Sequence, residues 1–209
     1  MTSRQITITT KKAIITSEYT LVTQHGKYFP PQNLLNEYPQ KDVTRILYRR
    51  FVRLKPFVSR RQMVRDTYVG YIRYKFRNED YEKRRIASGL KFAEKSENLS
   101  QLSQRALATL EFVLKAISHV KKSDLDTSHG VEISMCRKIL KNLLTIEHDK
   151  RLLIQHNPKF FYPVLRQEFS YFGNHALVKK PLHVVARLRD LREYDACLLK
   201  LNETLGTML

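Results

Sequence analysis

Ile46-Leu47-Tyr48-Arg49-Arg50-Phe51-Val52-Arg53-Leu54-Lys55-Pro56-Phe57, and after a polar break Tyr68-Val69-Gly70-Tyr71-Ile72-Arg73-Tyr74-Lys75-Phe76-Arg77-Asn78, decide how the chain is read. In the first stretch Val43, Leu47, Phe51 and Leu54 recur at helical spacing, and Arg45, Arg49 and Arg53 fall on the opposite face. Asp42 stands where an N-cap would. Lys55-Pro56 closes the helix, because the residue before a proline avoids the α region. In the second, Val64, Tyr68, Tyr71, Ile72 and Phe76 form an apolar stripe. Ser59-Arg60-Arg61-Gln62 opens it with the spacing of a capping box. Arg61 and Arg65 lie on the same stripe. Either the stripe leaves the core there and meets a partner, or the arginine stems pack and their heads reach water.

The same periodicity continues outward. Residues 86–103 are polar and read as a linker or a weak helix. A helix over about 103–120 buries Leu107, Leu110, Val113, Leu114 and Ile117. After a loop, a helix over about 131–155 buries Ile133, Cys136, Leu140, Leu143 and Leu144, and Asn157-Pro158 stops it. Aromatic residues crowd 160–172 around Pro163 and predict a segment that covers the bundle. A last helix over 181–205 carries Leu188, Leu191, Tyr194, Leu198, Leu201 and Leu205 on one face. Upstream, residues 1–40 read as an irregular arm with one or two short strands, since Ile6-Thr7-Ile8-Thr9-Thr10 and Ala13-Ile14-Ile15-Thr16 are β-branched. The prediction is an all-α fold: an arm over 1–41, a helical bundle over 42–157, and a cover segment with an extra C-terminal helix over 158–209.

At 209 residues and 42% hydrophobic content the chain can bury a core. No apolar run is long enough to cross a membrane, and six glycines are too few for a glycine-rich nucleotide fold. The net charge is +18. Residues 45–85 hold 14 Lys and Arg against 4 Asp and Glu, so more than half of the excess sits in one fifth of the chain. Such a field draws acidic partners: nucleic acid, anionic lipid or an acidic protein. Cys136 and Cys197 stand far apart and read as inert small hydrophobes in a reducing compartment. No histidine has the spacing of a metal-ligand pair, and no phosphate loop or nucleophile elbow occurs. The reading is non-enzymatic, with no catalytic residue and no metal ligand. Residues 1–17 are basic, free of acids and rich in Ser and Thr, as a mitochondrial presequence is, although their β-branched runs suit an extended arm equally well.

Leu47-Tyr48-Arg49, followed by Arg50-Phe51, a Pro56-Phe57 break and a second helix ending Ile72-Arg73-x-x-Phe76-Arg77-Asn78, resembles the LYR-motif family of mitochondrial proteins. The likeness to one fungal member of that family runs the full length, through Arg53-Leu54-Lys55-Pro56-Phe57, Thr109-Leu110-Glu111-Phe112-Val113-Leu114-Lys115, Ile139-Leu140-Lys141-Asn142-Leu143-Leu144-Thr145 and Leu201-Asn202-Glu203-Thr204-Leu205-Gly206-Thr207. The resemblance implies a helical bundle in the mitochondrial matrix. It implies a role in maintaining mitochondrial DNA, respiratory growth and sporulation, exerted as an adaptor or assembly factor. Many members bind acyl carrier protein, whose acyl-phosphopantetheine enters the bundle; no cofactor of the chain's own is implied. On that pattern Tyr48 and Phe76 line or close the passage, and Arg49, Arg53 and Arg73 meet the acidic carrier, with Leu47, Arg61 and Arg65 completing the partner-binding set. The alternative is a basic module that acts directly on mitochondrial DNA or ribosomal RNA.

Overall fold

The computed structural model describes residues 8–9, 13–15, 20–22, 29–30, 37–88, 99–118, 127–169 and 182–209. Residues 89–98 of the linker expected over 86–103, residues 119–126 at the end of the predicted helix and in the loop after it, and Tyr171, Phe172 and Pro181 lie outside them, and residues 99–103 are helical. The fold is mostly helical, as an all-α reading requires. Strands β1 (Ile8–Thr9), β2 (Ala13–Ile15) and β3 (Thr20–Val22) pair antiparallel in sequence order, with Ile8 opposite Ile15 and Ala13 opposite Val22.

Helix α1 (Gln40–Arg53) starts two residues earlier than its periodicity predicts. Pro39 precedes it, and the Pro39 carbonyl accepts from the amides of Asp42 (2.8 Å) and Val43 (3.1 Å). Asp42 is therefore inside the first turn rather than the cap, and its carboxylate pairs with Arg45 at 3.2 Å. The chain does not turn extended at Lys55. A four-residue helix, α2 (Lys55–Val58), takes Pro56 into its first turn, where a missing N–H costs nothing, and the extended residue is Ser59. β3 lies beside α2. Helix α3 (Gln62–Arg77) lacks the predicted capping box: Ser59 Oγ accepts from the Arg61 amide, and Gln62 Nε2 donates forward to Asp66. The Tyr68 hydroxyl donates to the Phe51 carbonyl at 2.9 Å, and Lys55 meets Asp66, so α1 and α3 form an antiparallel hairpin.

A short helix, α4 (Tyr81–Ala87), begins before the expected linker; the Asp80 carboxylate caps it by accepting from the Lys83 amide. Helix α5 (Leu99–Ala116) and the long α6 (Ser128–His156) pack along one another. Thr127 caps α6 by accepting from the Gly130 amide. Arg137 of α6 caps the far end of α5, donating to the carbonyls of Ala116 and Ser118. The cover segment is a short helix, α7 (Pro158–Tyr162), running into a π turn (Pro163–Gln167). Helix α8 (Leu182–Leu205) closes the molecule.

The main core joins Phe51 and Leu54 of α1, Tyr68 and Ile72 of α3, Leu110 and Val113 of α5, Leu140 and Leu143 of α6, and Leu198 and Leu209. A second cluster sets Phe161, Val164, Leu165 and Phe169 against Leu188 and Leu191. One expectation on α8 fails. Leu205 is 46% exposed, because the chain turns at Gly206 (φ +64) just beyond it. Cys197 faces solvent, and only Cys136 is buried. After Gly206 the chain folds back. Asn202 donates to the Leu209 main-chain oxygen and accepts from the Leu209 amide, both at 2.7 Å, and Met208 N donates to Thr109 Oγ1 of α5. Leu209 thereby enters the core at 2% exposure.

A chain of charges runs through the interior. Lys75 meets Glu79 (2.6 Å), Glu79 meets Arg84 (2.8 Å), and Arg84 meets Asp195 (2.8 Å). Asp195 also takes Lys150 (2.7 Å), which reaches Glu147, and Glu147 holds Arg166. Every side chain in it except that of Arg166 is 3% exposed or less. The chain ties α3, α4, α8, α6 and the π turn together. Burial pushes the Glu147 carboxyl up, but Arg166 and Lys150 more than offset it and hold it below its ordinary value.

Candidate partner-binding surface

The α1/α3 hairpin sorts the predicted residues by face. Leu47 is 1% exposed and packs with Val43 and Ala106, so it is scaffold. Tyr48 is half-buried and meets Phe76 edge-on at 5.6 Å; Phe76 also packs on Phe51 at 5.7 Å. Arg49 and Arg53 of α1 and Arg73 of α3 are exposed, alongside Arg45 and Arg77. Arg61 is exposed at the start of α3. Arg65 does not reach outward: its guanidinium donates back to the Arg60 carbonyl at 2.9 Å. Tyr48 and Phe76 are brought together; Arg49 and Arg53 share one outer face; Arg61 stands at the other end of the hairpin.

The interior behind Tyr48 and Phe76 is nearly filled. The hollow bounded by Phe51, Tyr68, Tyr71, Ile72, Phe76 and Leu209 measures ≈ 20 Å³, about the space of one water. Phe76 and Leu209 both line this hollow. Room for a ligand opens elsewhere. A cleft of ≈ 510 Å³ lies between α2, the start of α3, the end of α5 and α6. Phe57, Val58, Met63, Val64, Ile117, Leu140 and Leu144 give it an apolar floor, and Arg61, Arg137, Lys141 and His148 stand at its margins. Its size falls in the range of small-molecule and peptide-anchor pockets.

Lys141 and His148 were not anticipated as site residues, and the signal for them was faint. Arg137, Lys141 and His148 recur along α6 on the edge of the stripe that carries Leu140 and Leu144, a pattern that also describes any solvated helix edge. Arg137 is already committed to the end of α5, which leaves Arg61 and Lys141 as the cations at the cleft margin, with the His148 ring beside Thr67.

A family model described as increased recombination centres protein 19 matches residues 8–209. The chain belongs to the increased recombination centres protein 19 family. Proteins of that name from Vanderwaltozyma polyspora (37% identical, over 98% of this chain and 97% of the relative) and Saccharomyces cerevisiae strain S288c (39%, full length of both) are similar to it. So is one from Eremothecium gossypii (38%, 96% of this chain and 88% of the relative). No solved structure matches the chain. The family match takes in the hairpin, the cleft, the buried charge chain and the folded-back Leu209, so the increased recombination centres protein 19 family is matched over all of them at once.

Proposed function

We propose that this protein is a non-enzymatic mitochondrial matrix protein of the LYR type that contributes to mitochondrial DNA maintenance, respiratory growth and sporulation, acting as an adaptor or assembly factor on an acidic protein such as acyl carrier protein. The observation that carries this reading is that one molecule presents both an arginine-rich outer hairpin face and an apolar cleft bordered by Arg61, Lys141 and His148. An acidic carrier meets the arginines, which raise encounter rate and select the partner, and its apolar cargo or an apolar anchor enters the cleft. The relatives' shared name, increased recombination centres, supports a place in genome maintenance. That role needs no contact with DNA, since failed respiratory assembly or mitochondrial translation itself destabilises the mitochondrial genome.

The test is recovery of native partners on the full chain from mitochondrial extract, followed by intact mass. An acylated carrier bound to the native chain and lost from Arg49→Glu/Arg53→Glu supports the adaptor reading; equal recovery with both chains overturns it. The exposed arginines also admit a second reading, direct binding to mitochondrial DNA or ribosomal RNA. It requires affinity for nucleic acid that falls steeply with salt as counterions are released, and no binding at low salt removes it.

A further inference from the structure

A second concavity, ≈ 270 Å³, opens between α3, the C-terminal half of α6 and the π turn. Three guanidiniums line it, those of Arg73, Arg151 and Arg166, against one carboxylate, Glu147. That carboxylate is already held by Arg166 and Lys150. Among the described residues no carboxylate forms a salt bridge with Arg73 or Arg151, although the Asp66 carboxylate lies close enough to feel the Arg151 charge. Arg166 is fixed in place, with its guanidinium 4.2 Å over the Tyr74 ring. The lining therefore carries two positive charges beyond what its own carboxylate neutralises.

Two further features mark the pocket as built for an occupant. Tyr71 lines its inner wall at 6% exposure, and its hydroxyl has no hydrogen-bond partner among the described residues. A buried donor left unmade is costly and calls for an explanation. Gly70 also lines the pocket, in the interior of α3. Glycine there is unfavourable relative to alanine. Neither backbone conformation nor crowding requires it: its φ is not positive, and a Cβ would meet nothing within 4 Å. What the missing side chain does is leave the pocket open.

We propose that this pocket binds the phosphate of a small phosphomonoester, with Arg73, Arg151 and Arg166 as the cationic clamp and Tyr71 as a neutral donor. A phosphomonoester carries nearly two negative charges at pH 7, matching the surplus, and guanidinium forks fit its oxygens. The pocket lies just below the usual range for drug-sized ligands, which favours a small molecule over a polymer segment. The inference shares Arg73 with the adaptor reading but not Gly70, Tyr71 or Arg151, so variants at Gly70 and Arg151 test it separately.

Titration calorimetry and thermal shift on the full chain test it, with adenosine 5′-monophosphate, inorganic phosphate and dimethyl phosphate as probes. The expected result is binding of the two phosphate dianions, at least tenfold weaker binding of the monoanionic diester, and at least tenfold loss in Arg151→Ala. Gly70→Leu adds a side chain at a lining position where a Cβ meets nothing within 4 Å, and is expected to abolish binding while melting no lower than the native chain. Absence of binding by both dianions at millimolar concentration, equal affinity for the diester, binding of single-stranded oligonucleotide alone, or undiminished binding in a folded Gly70→Leu chain overturns the proposal.

Discussion

Asp195 holds two buried cations at once, Arg84 at 2.8 Å and Lys150 at 2.7 Å, and is 0% exposed. Replacing a buried ion network by apolar groups is often harmless, but removing one member strands its partners. Asp195→Ala leaves two cations facing each other in the interior and is expected to cost about 3–5 kcal/mol, read as a lower urea midpoint. Lys75, at the other end of the chain, gives a pH signature. Burial lowers its ammonium to about 8, against the pull of Glu79. The unfolded side chain titrates near 10.4. Between pH 8 and 10 the unfolded chain therefore binds a proton that the folded chain has released, and stability rises with pH. The rise amounts to about 2 kcal/mol and is absent in Lys75→Met; chemical unfolding at a series of pH values reads it. Above pH 10 the buried phenols of Tyr68 and Tyr74, whose pKa values burial raises, act in the opposite direction.

At the scale of elements, the α1/α3 hairpin separates scaffold from contact. Leu47 is buried, Tyr48 stands half-buried on Phe76, and Arg49 and Arg53 project outward. Arg49→Glu/Arg53→Glu is expected to shift stability by less than about 0.5 kcal/mol, as surface changes do, while partner recovery falls at least tenfold; a thermal melt beside the pull-down checks both. The hairpin's stripes were legible in the chain because a 3.6-residue period is local information. Its ends were not. Asp42 and Ser59 have the right chemistry for caps, but Asp42 is drawn to Arg45 and Gln62 to Asp66, so the cap positions fall to Pro39 and Arg61. Helix α4 is not legible in the sequence, because Arg84 and Arg85 have the pattern of surface residues and only Glu79 and Asp195 bury Arg84.

For the whole molecule, the folded-back residues carry Leu209 into the bundle core beside Phe51 and Phe76. Leu209→Ala removes a side chain that is 2% exposed and is expected to cost about 2–5 kcal/mol. It also enlarges the hollow beside Phe51 and Phe76, which binding of a hydrophobic dye to the folded variant would reveal. By itself, the sequence determined the helical class, the α1, α3, α5, α6 and α8 stripes and the concentration of charge over residues 45–85, because each depends on near neighbours. The tertiary structure alone decided the buried charge chain, the burial of Leu209, and the positions of the apolar cleft and the arginine pocket. Their partners lie far apart in the chain, 111 residues for Arg84 with Asp195 and 134 for Lys75 with Leu209. A charge gives no sign of being buried until the fold supplies its counterion.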